Sequence, residues 1–240
     1  MALKTPFWTP WPLPSRSNVR FIVERCDYGR GKNLHLRCTQ LDATASEKKR
    51  ILGEWCDFFR SAPPVRTVNI ATRCPQILFD AVCEHSDLTA LEIHWGPIED
   101  ISSIRKLKNL QRLRLGSSSV TDLTPLKALK KLEHLSLENL DKLSDYSALG
   151  ALKNLRYLQI EGAPFMPKSV WIDDLKFIRR LPNLRGLSLA AVRFRDDNYH
   201  RAFRALPLEW LDFWVKDAEV RSDIVDSLPS LKGGRILENA

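Results

Sequence analysis

The chain of 240 residues contains no run of eighteen apolar residues, so no bilayer-crossing helix is expected. It has only five cysteines, Cys26, Cys38, Cys56, Cys74 and Cys83, all in the first third. Their number is odd and no C-x-x-C pair occurs, which speaks against a zinc site and against a complete disulfide framework. Reduced thiols of a cytosolic protein are the plain reading. Cys26 and Cys38 can face each other across a hairpin, but no bond is expected between them. The first fourteen residues mix prolines with Phe7, Trp8 and Trp11 and lack both a continuous apolar stretch and a small-residue cleavage site. No secretory signal is expected, and the cytoplasm is the expected location.

Sequence signatures of catalysis are missing as well. There is no phosphate-binding glycine-rich loop, no G-x-S-x-G elbow, no H-E-x-x-H pair and no G-x-G-x-x-G turn. Gly29-Arg30-Gly31 reads as a hairpin turn, since it lacks the strand and helix that a phosphate loop needs. The five histidines, His35, His85, His94, His134 and His200, are scattered without the spacing of a ligand set. Neither a metal nor a cofactor is expected, and enzymatic activity is not expected either.

What the chain does have is apolar material at regular intervals. It is 44% hydrophobic and 28% charged, the composition of a globular protein with a sizeable core. The pattern L-x-x-L-x-L recurs at Leu88-Leu91-Ile93, Leu110-Leu113-Leu115, Leu132-Leu135-Leu137, Leu155-Leu158-Ile160, Leu184-Leu187-Leu189 and Leu208-Leu211-Phe213. Fainter copies begin at Val65 and Leu231. Successive starts are 23, 22, 22, 23, 29, 24 and 23 residues apart. Such a period marks a stack of similar coils, because one coil cannot bury its apolar face alone. In each short strand the fourth and sixth positions point inward, and the third, fifth and seventh point out.

The segments between strands repeat too: Ile98-Glu99-Asp100-Ile101-Ser102, Val120-Thr121-Asp122-Leu123-Thr124 and Leu143-Ser144-Asp145-Tyr146-Ser147. Basic, leucine-bearing stretches follow, ending in pairs such as Lys108-Asn109 and Lys153-Asn154. Over about residues 61 to 240 the chain resembles the 22-residue leucine-rich-repeat class found in internalins, in the phosphatase-regulator type and in many bacterial cytoplasmic repeat proteins. The resemblance implies an α/β solenoid with a curved parallel sheet on its concave side and short helices or 3₁₀ turns on its convex side. That class usually carries asparagine at the ninth repeat position, where this chain has Gly96, Ser118, Leu140, Ala163 and Val192. An asparagine ladder there is absent or broken.

A solenoid needs its ends covered. Residues 18 to 38 read as a β-hairpin, with Thr44 or Ser46 then capping a helix through Phe59 that puts Ile51, Leu52, Trp55, Phe58 and Phe59 on one side. Residues 1–60 are therefore expected to be an N-terminal cap within the same domain, a separate binding module being the alternative. Residues 61–240 are expected to hold about eight repeats, including degenerate terminal copies. The long fifth repeat carries Gly162-Ala163-Pro164-Phe165-Met166-Pro167-Lys168, then Trp171 and a helix near Asp173 to Arg180. That loop is either a binding insertion or a stiff loop on the edge of the core.

The register assigns the concave surface. Third positions are Thr67, Ala90, Arg112, His134, Tyr157, Gly186 and Trp210; fifth positions are Asn69, Glu92, Arg114, Ser136, Gln159, Ser188 and Asp212. Seventh positions are Ala71, His94, Gly116, Glu138, Glu161, Ala190 and Trp214. Aromatic anchors among charged groups are the composition of a protein-binding patch. The expected contact set is Glu92, His94, Arg112, Arg114, His134, Glu138, Tyr157, Gln159, Glu161, Trp210, Asp212 and Trp214. Trp210 and Trp214 can instead serve only to cover the C-terminal end of the core. Glu138 beside Glu161 is the one carboxylate pair suited to acid–base work, and without a deep pocket it better suits basic groups of a partner.

The leading expectation is thus a non-catalytic protein-binding module. A narrower version is an immunity or inhibitor protein that neutralises a basic toxin or effector through Glu92, Glu138, Glu161 and Asp212. The formal charge of +8 raises a third reading, nucleic-acid binding. It would use the lysines and arginines assigned to the convex side, Lys106, Lys108, Lys127, Lys130, Lys131, Lys153, Arg179 and Arg180. Runs of this kind are usually solvated faces.

Overall fold

The structure is a computed structural model that describes residues 20–116, 119–162 and 170–238. The N-terminal Pro/Trp segment and most of the fifth-repeat insertion fall outside these residues. In chain order the elements are β1 (Asn33–Leu36), α1 (Ala45–Arg60), β2 (Thr67–Ile70), α2 (Gln76–Glu84), β3 (Ala90–Ile93), β4 (Arg112–Gly116), β5 (His134–Glu138) and β6 (Tyr157–Glu161). They continue with β7 (Val170–Ile172), β8 (Gly186–Ala190), β9 (Val192–Phe194), β10 (Trp210–Phe213), α3 (Ala218–Asp226) and α4 (Arg235–Glu238). Eight strands form one sheet in the order β1-β2-β3-β4-β5-β6-β8-β10, and every pairing in it is parallel.

The register places equal repeat positions side by side, so Leu91, Leu113, Leu135, Leu158, Leu187 and Leu211 form one row across the sheet. Each is no more than 3% exposed. The opening leucines Leu88, Leu110, Leu132, Leu155, Leu184 and Leu208 are fully buried behind them. A continuous apolar spine results, to which each coil adds a few leucines.

Polar groups set where each coil bends. Asp100, Asp122, Asp145 and Asp174 each accept a hydrogen bond from the backbone N–H two residues on, at 2.6–2.7 Å. These turns open the 3₁₀ segments Ser102–Lys106, Thr124–Ala128, Ser147–Ala151 and Lys176–Arg180 on the convex side. Short 3₁₀ pieces fit here because each coil has only about 22 residues for strand, two bends and return.

An amide ladder does exist, at a different place from the ninth position. Asn109, Asn154 and Asn183, each just ahead of a coil's first leucine, donate from Nδ2 to the carbonyls of Ser86, Lys130 and Lys153 in the preceding coil, at 3.4, 2.7 and 2.9 Å. Lys131 holds the same position in its own coil and donates to Asn109 Oδ1 at 2.8 Å. At the ninth position Leu140 is buried in the core instead, while Ser118 and Ala163 lie outside the described residues.

The expected N-terminal hairpin is not formed. Ile22 pairs with Leu36 in parallel, through Ile22 N–H to His35 O at 2.8 Å and Arg37 N–H to Ile22 O at 2.9 Å. The intervening chain does not reverse. It passes over α1, where Trp55 Nε1 donates to Val23 O at 2.7 Å and Tyr28 packs edge-on against Phe58. β1 therefore enters the main sheet as another parallel coil. The helix itself forms as expected: Thr44 and Glu47 make a reciprocal capping box, and Ile51, Trp55, Phe58 and Phe59 are buried.

At the other end, the copy beginning at Leu231 has no full strand. Gly234 takes a φ of +120°, and its missing side chain leaves room for Leu211 O. A single bridge, Trp210 to Gly233, replaces the pairing, and Ile236 of α4 closes the core. A second small sheet pairs β7 with β9, and the helix expected near Asp173 is the 3₁₀ segment Lys176–Arg180. The five cysteines are free thiols, all buried except Cys26. No described helix is long and apolar enough to cross a membrane.

Candidate functional site

The outward positions of β2 to β10 form three rows across the concave face. The middle row, the fifth positions, is a buried polar ladder. Asn69 Nδ2 donates to Glu92 Oε2 at 2.5 Å, and Arg114 Nη1 reaches Glu92 Oε1 at 2.5 Å. His94 Nε2 stands 3.1 Å from the same oxygen. Arg114 then turns to Glu138, with Nη2 and Nε each 2.8 Å from a carboxylate oxygen. Ser136 Oγ lies between Glu138 Oε1 at 2.9 Å and Gln159 Oε1 at 2.6 Å, sharing one proton between two acceptors. Gln159 donates onward to Glu161.

Burial of the amides and one carboxylate is deep, with Asn69 7% exposed, Glu92 1% and Gln159 5%, while Arg114, Ser136, Glu138 and Glu161 are half-buried. A buried carboxylate is tolerated only when charge and hydrogen bonds replace its water, and Arg114 supplies both here. Burial works against the charge on Arg114, but Glu138 and Glu92 outweigh it and hold the guanidinium above its ordinary pKa. Glu161 goes the other way. Burial and the nearby Glu138 raise its carboxyl above the ordinary glutamate range.

A break follows. No side-chain hydrogen bond joins Gln159 to Ser188, and a second cluster begins at Ser188, 3.4 Å from Asp212 Oδ2. Asp212 is clasped by Arg235 through both Nε and Nη2. Glu92, Glu138 and Asp212 thus spend their charge inside the protein, which the sequence did not reveal.

The third row carries rings. His134 and Tyr157 stack with centroids 4.7 Å apart. Burial, then the charges of Arg112 and Arg156, bring the His134 imidazole down to about 4, so it is neutral at physiological pH. Trp210 leans over Gly233, where a Cβ would come within 2.4 Å of the indole. It therefore helps to close the C-terminal end of the solenoid. Trp214 does not, being 59% exposed.

Between these features lies β8, whose outward residues Gly186, Ser188 and Ala190 are all small. Its neighbours are larger: Tyr157, Gln159 and Glu161 on β6, and Trp210 and Asp212 on β10, with Trp214 directly after that strand. Gly186 and Ser188 are themselves buried, so these neighbours close over β8. The expected contact residues thus split four ways. Glu92, Arg114, Gln159 and Asp212 form the buried ladders, and Glu138 joins them. Arg112, His134 and Tyr157 make one group, with Glu161 at its far end. Trp214 stands exposed directly after β10, and His94 sits apart beside Glu92.

The basic residues also sort differently from expectation. Lys106 pairs with Glu84, Lys153 donates to the carbonyls of Gly150 and Arg180, and Arg180 donates to Ser147 O. These hold convex turns together. Lys131 is not convex: it directly precedes Leu132, where the chain turns into β5, and it lines the edge of the sheet.

No family model and no curated protein matches the sequence. Among solved structures, an internalin F from Listeria monocytogenes is similar at a TM-score of 0.55 and 22% identity, over 71% of this chain and 54% of that one. An internalin C2 from the same species is similar at 0.50 and 20% identity, over 73% of each chain. The fold is a leucine-rich-repeat solenoid. The present chain spans about half the length of the internalin F structure. At these identities the leucine-rich-repeat likeness describes architecture, and the concave residues above are this chain's own.

Proposed function

We propose that this chain is a non-catalytic scaffold that holds another protein on its concave face, across β6 to β10. The observation that carries this reading is Trp214, a large indole 59% exposed directly after β10. Exposed aromatics are the usual anchors of protein interfaces, and Tyr157 and Glu161 on β6 supply amphipathic neighbours on the same face. The similarity to leucine-rich-repeat structures supports a binding scaffold at the level of architecture.

The carboxylates of Glu138 and Glu161, neighbours on adjacent strands, are bonded to Arg114, Ser136 and Gln159. That arrangement supports a binding role over a catalytic one, with no cofactor. Within this reading residues 1–60 serve as the N-terminal cap and residues 61–240 as repeats. The setting is the cytoplasm, where free thiols persist. A partner that is merely a basic toxin fits less well, because Glu92 and Asp212 are already neutralised by Arg114 and Arg235.

The test is capture of the partner from cells that make this protein, comparing wild type with Tyr157→Ala and Trp214→Ala. Both variants should melt like wild type and lose the partner. Retention by both variants would remove this part of the concave face as the binding site.

A further inference from the structure

A groove of about 480 Å³ runs along the edge of the sheet where the strands begin. Its lining comes from the positions flanking each coil's first leucine. Lys131, Asn154 and Asn183 stand just before it, and Gln111, Glu133, Arg156 and Arg185 just after. Arg156 and Arg185 immediately precede the register partners Tyr157 and Gly186. Neighbouring strands are about 4.8 Å apart, so the two guanidinium groups rise side by side.

Their internal partners are few. Arg185 Nη1 donates to the carbonyls of Pro182 and Leu184, and Nε lies 3.8 Å from Glu209. Among the described residues the Arg156 side chain has neither a hydrogen bond nor an ion pair. Lys131 uses one donor, on Asn109. Asn154 and Asn183 give their amide hydrogens to backbone carbonyls and keep their oxygens as acceptors. Its lining carries three cations and one carboxylate, Glu133, while Glu209 beside Arg185 is shared with Lys232, so the groove is basic. Like charges placed directly across neighbouring strands repel, and an anionic occupant relieves that repulsion.

We infer that this groove binds an extended acidic peptide segment, with carboxylates on Arg156 and Arg185 and backbone N–H groups on the amide oxygens of Asn154 and Asn183. The mixture of donors and acceptors suits a peptide, which carries both. A nucleic acid fits poorly, because the lining has no aromatic ring for base stacking. The groove does not include Trp214 or Tyr157 and does not depend on the concave-face reading.

The probe is fluorescein-labelled octaglutamate, followed by fluorescence polarisation with the full chain at low and at physiological salt. The expected result is saturable binding that weakens as salt is added. Arg156→Ala with Arg185→Ala should lower affinity by at least about tenfold. The convex pair Lys127→Ala with Arg179→Ala, which removes the same charge, should leave it unchanged. Tyr157→Ala and Trp214→Ala should also leave it unchanged, which separates this site from the proposed concave-face site. Arg156→Ala alone, at an exposed side chain with no hydrogen bond or ion pair among the described residues, guards against a folding defect in the double variant. Absence of saturable binding at low salt would overturn the inference, as would an equal loss in the convex pair. Tighter binding of octauridylate, abolished by the same two substitutions, would overturn the peptide assignment in favour of nucleic acid.

Discussion

Arg114 Nη1 lies 2.5 Å from Glu92 Oε1 on the sheet of this solenoid, at a carboxylate that is 1% exposed. The same guanidinium holds Glu138 through two further contacts. One cation therefore keeps two acidic side chains compatible with burial.

Removing that cation is expected to be expensive. Arg114→Ala should lower the free energy of unfolding by about 3–5 kcal/mol, since it leaves buried charge uncompensated. Arg114→Lys should restore only part of this, because an ammonium cannot fork to two carboxylates. Urea denaturation of the two variants measures both. An Arg114→Ala protein as stable as wild type would show that the ladder contributes nothing.

The apolar spine gives a second expectation. Leu113 is 1% exposed in the middle of the sheet, and Leu113→Ala should cost about 2–5 kcal/mol. An unchanged melting temperature would contradict the placement of that row.

His134 makes stability depend on pH. Its imidazole is near 4 in the folded chain against 6.5 in an unfolded one, so the unfolded state takes the proton first. Stability from this group is intact above pH 6.5, declines as pH falls towards 4, and is lost below that. Arg112, Arg156 and the stacked Tyr157 are the groups facing it. His134→Phe keeps a ring on Tyr157 and should flatten the curve between pH 6.5 and 4. Parallel curves for variant and wild type would remove His134 as the cause.

Acid should also loosen the convex bends. Hydrogen bonds from the hydroxyl and amide of Ser102 hold the Asp100 carboxyl below its ordinary 3.8, and Thr124 does the same for Asp122. Both contribute stability above the ordinary aspartate range, and that contribution disappears as pH drops through their lowered values. Asp122→Asn should keep the turn and lose its acid sensitivity, whereas Asp122→Ala should lower the melting temperature at neutral pH as well.

Trp210 and Trp214 should separate cleanly. Gly233→Ala puts a methyl group against the Trp210 indole and should cost about 1–3 kcal/mol through overpacking. Trp214→Ala, at an exposed ring, should leave stability unchanged. Equal melting temperatures for Gly233→Ala and wild type would show that Trp210 does not pack there.

The coils and their register were legible because leucine spacing follows directly from a repeating core. The same spacing could not distinguish a hairpin from another parallel coil at Ile22 and Leu36, since both patterns alternate with period two. What decided between them was Trp55, thirty-odd residues away, donating to Val23 O. The concave residues were named correctly as outward-facing, yet outward on a crowded sheet did not mean exposed. Asn69, Glu92, Arg114, Ser136 and Gln159 had a readable signal in retrospect. Neighbouring fifth positions offer hydrogen-bond partners to one another, so the row can satisfy itself. The amide ladder was visible as the Lys-Asn pairs, but its meaning depends on which carbonyl each amide meets.

The interruption between Gln159 and Ser188 divides the molecule mechanically. Strands β2 to β6 are cross-linked on the concave face by side chains as well as by backbone, whereas β8 and β10 join them through backbone pairing, the leucine core and the convex hooks of Lys153, Arg180 and Asn183. A pull on the tail should peel those last turns away as one short plateau in a force trace, before the riveted block yields at higher load.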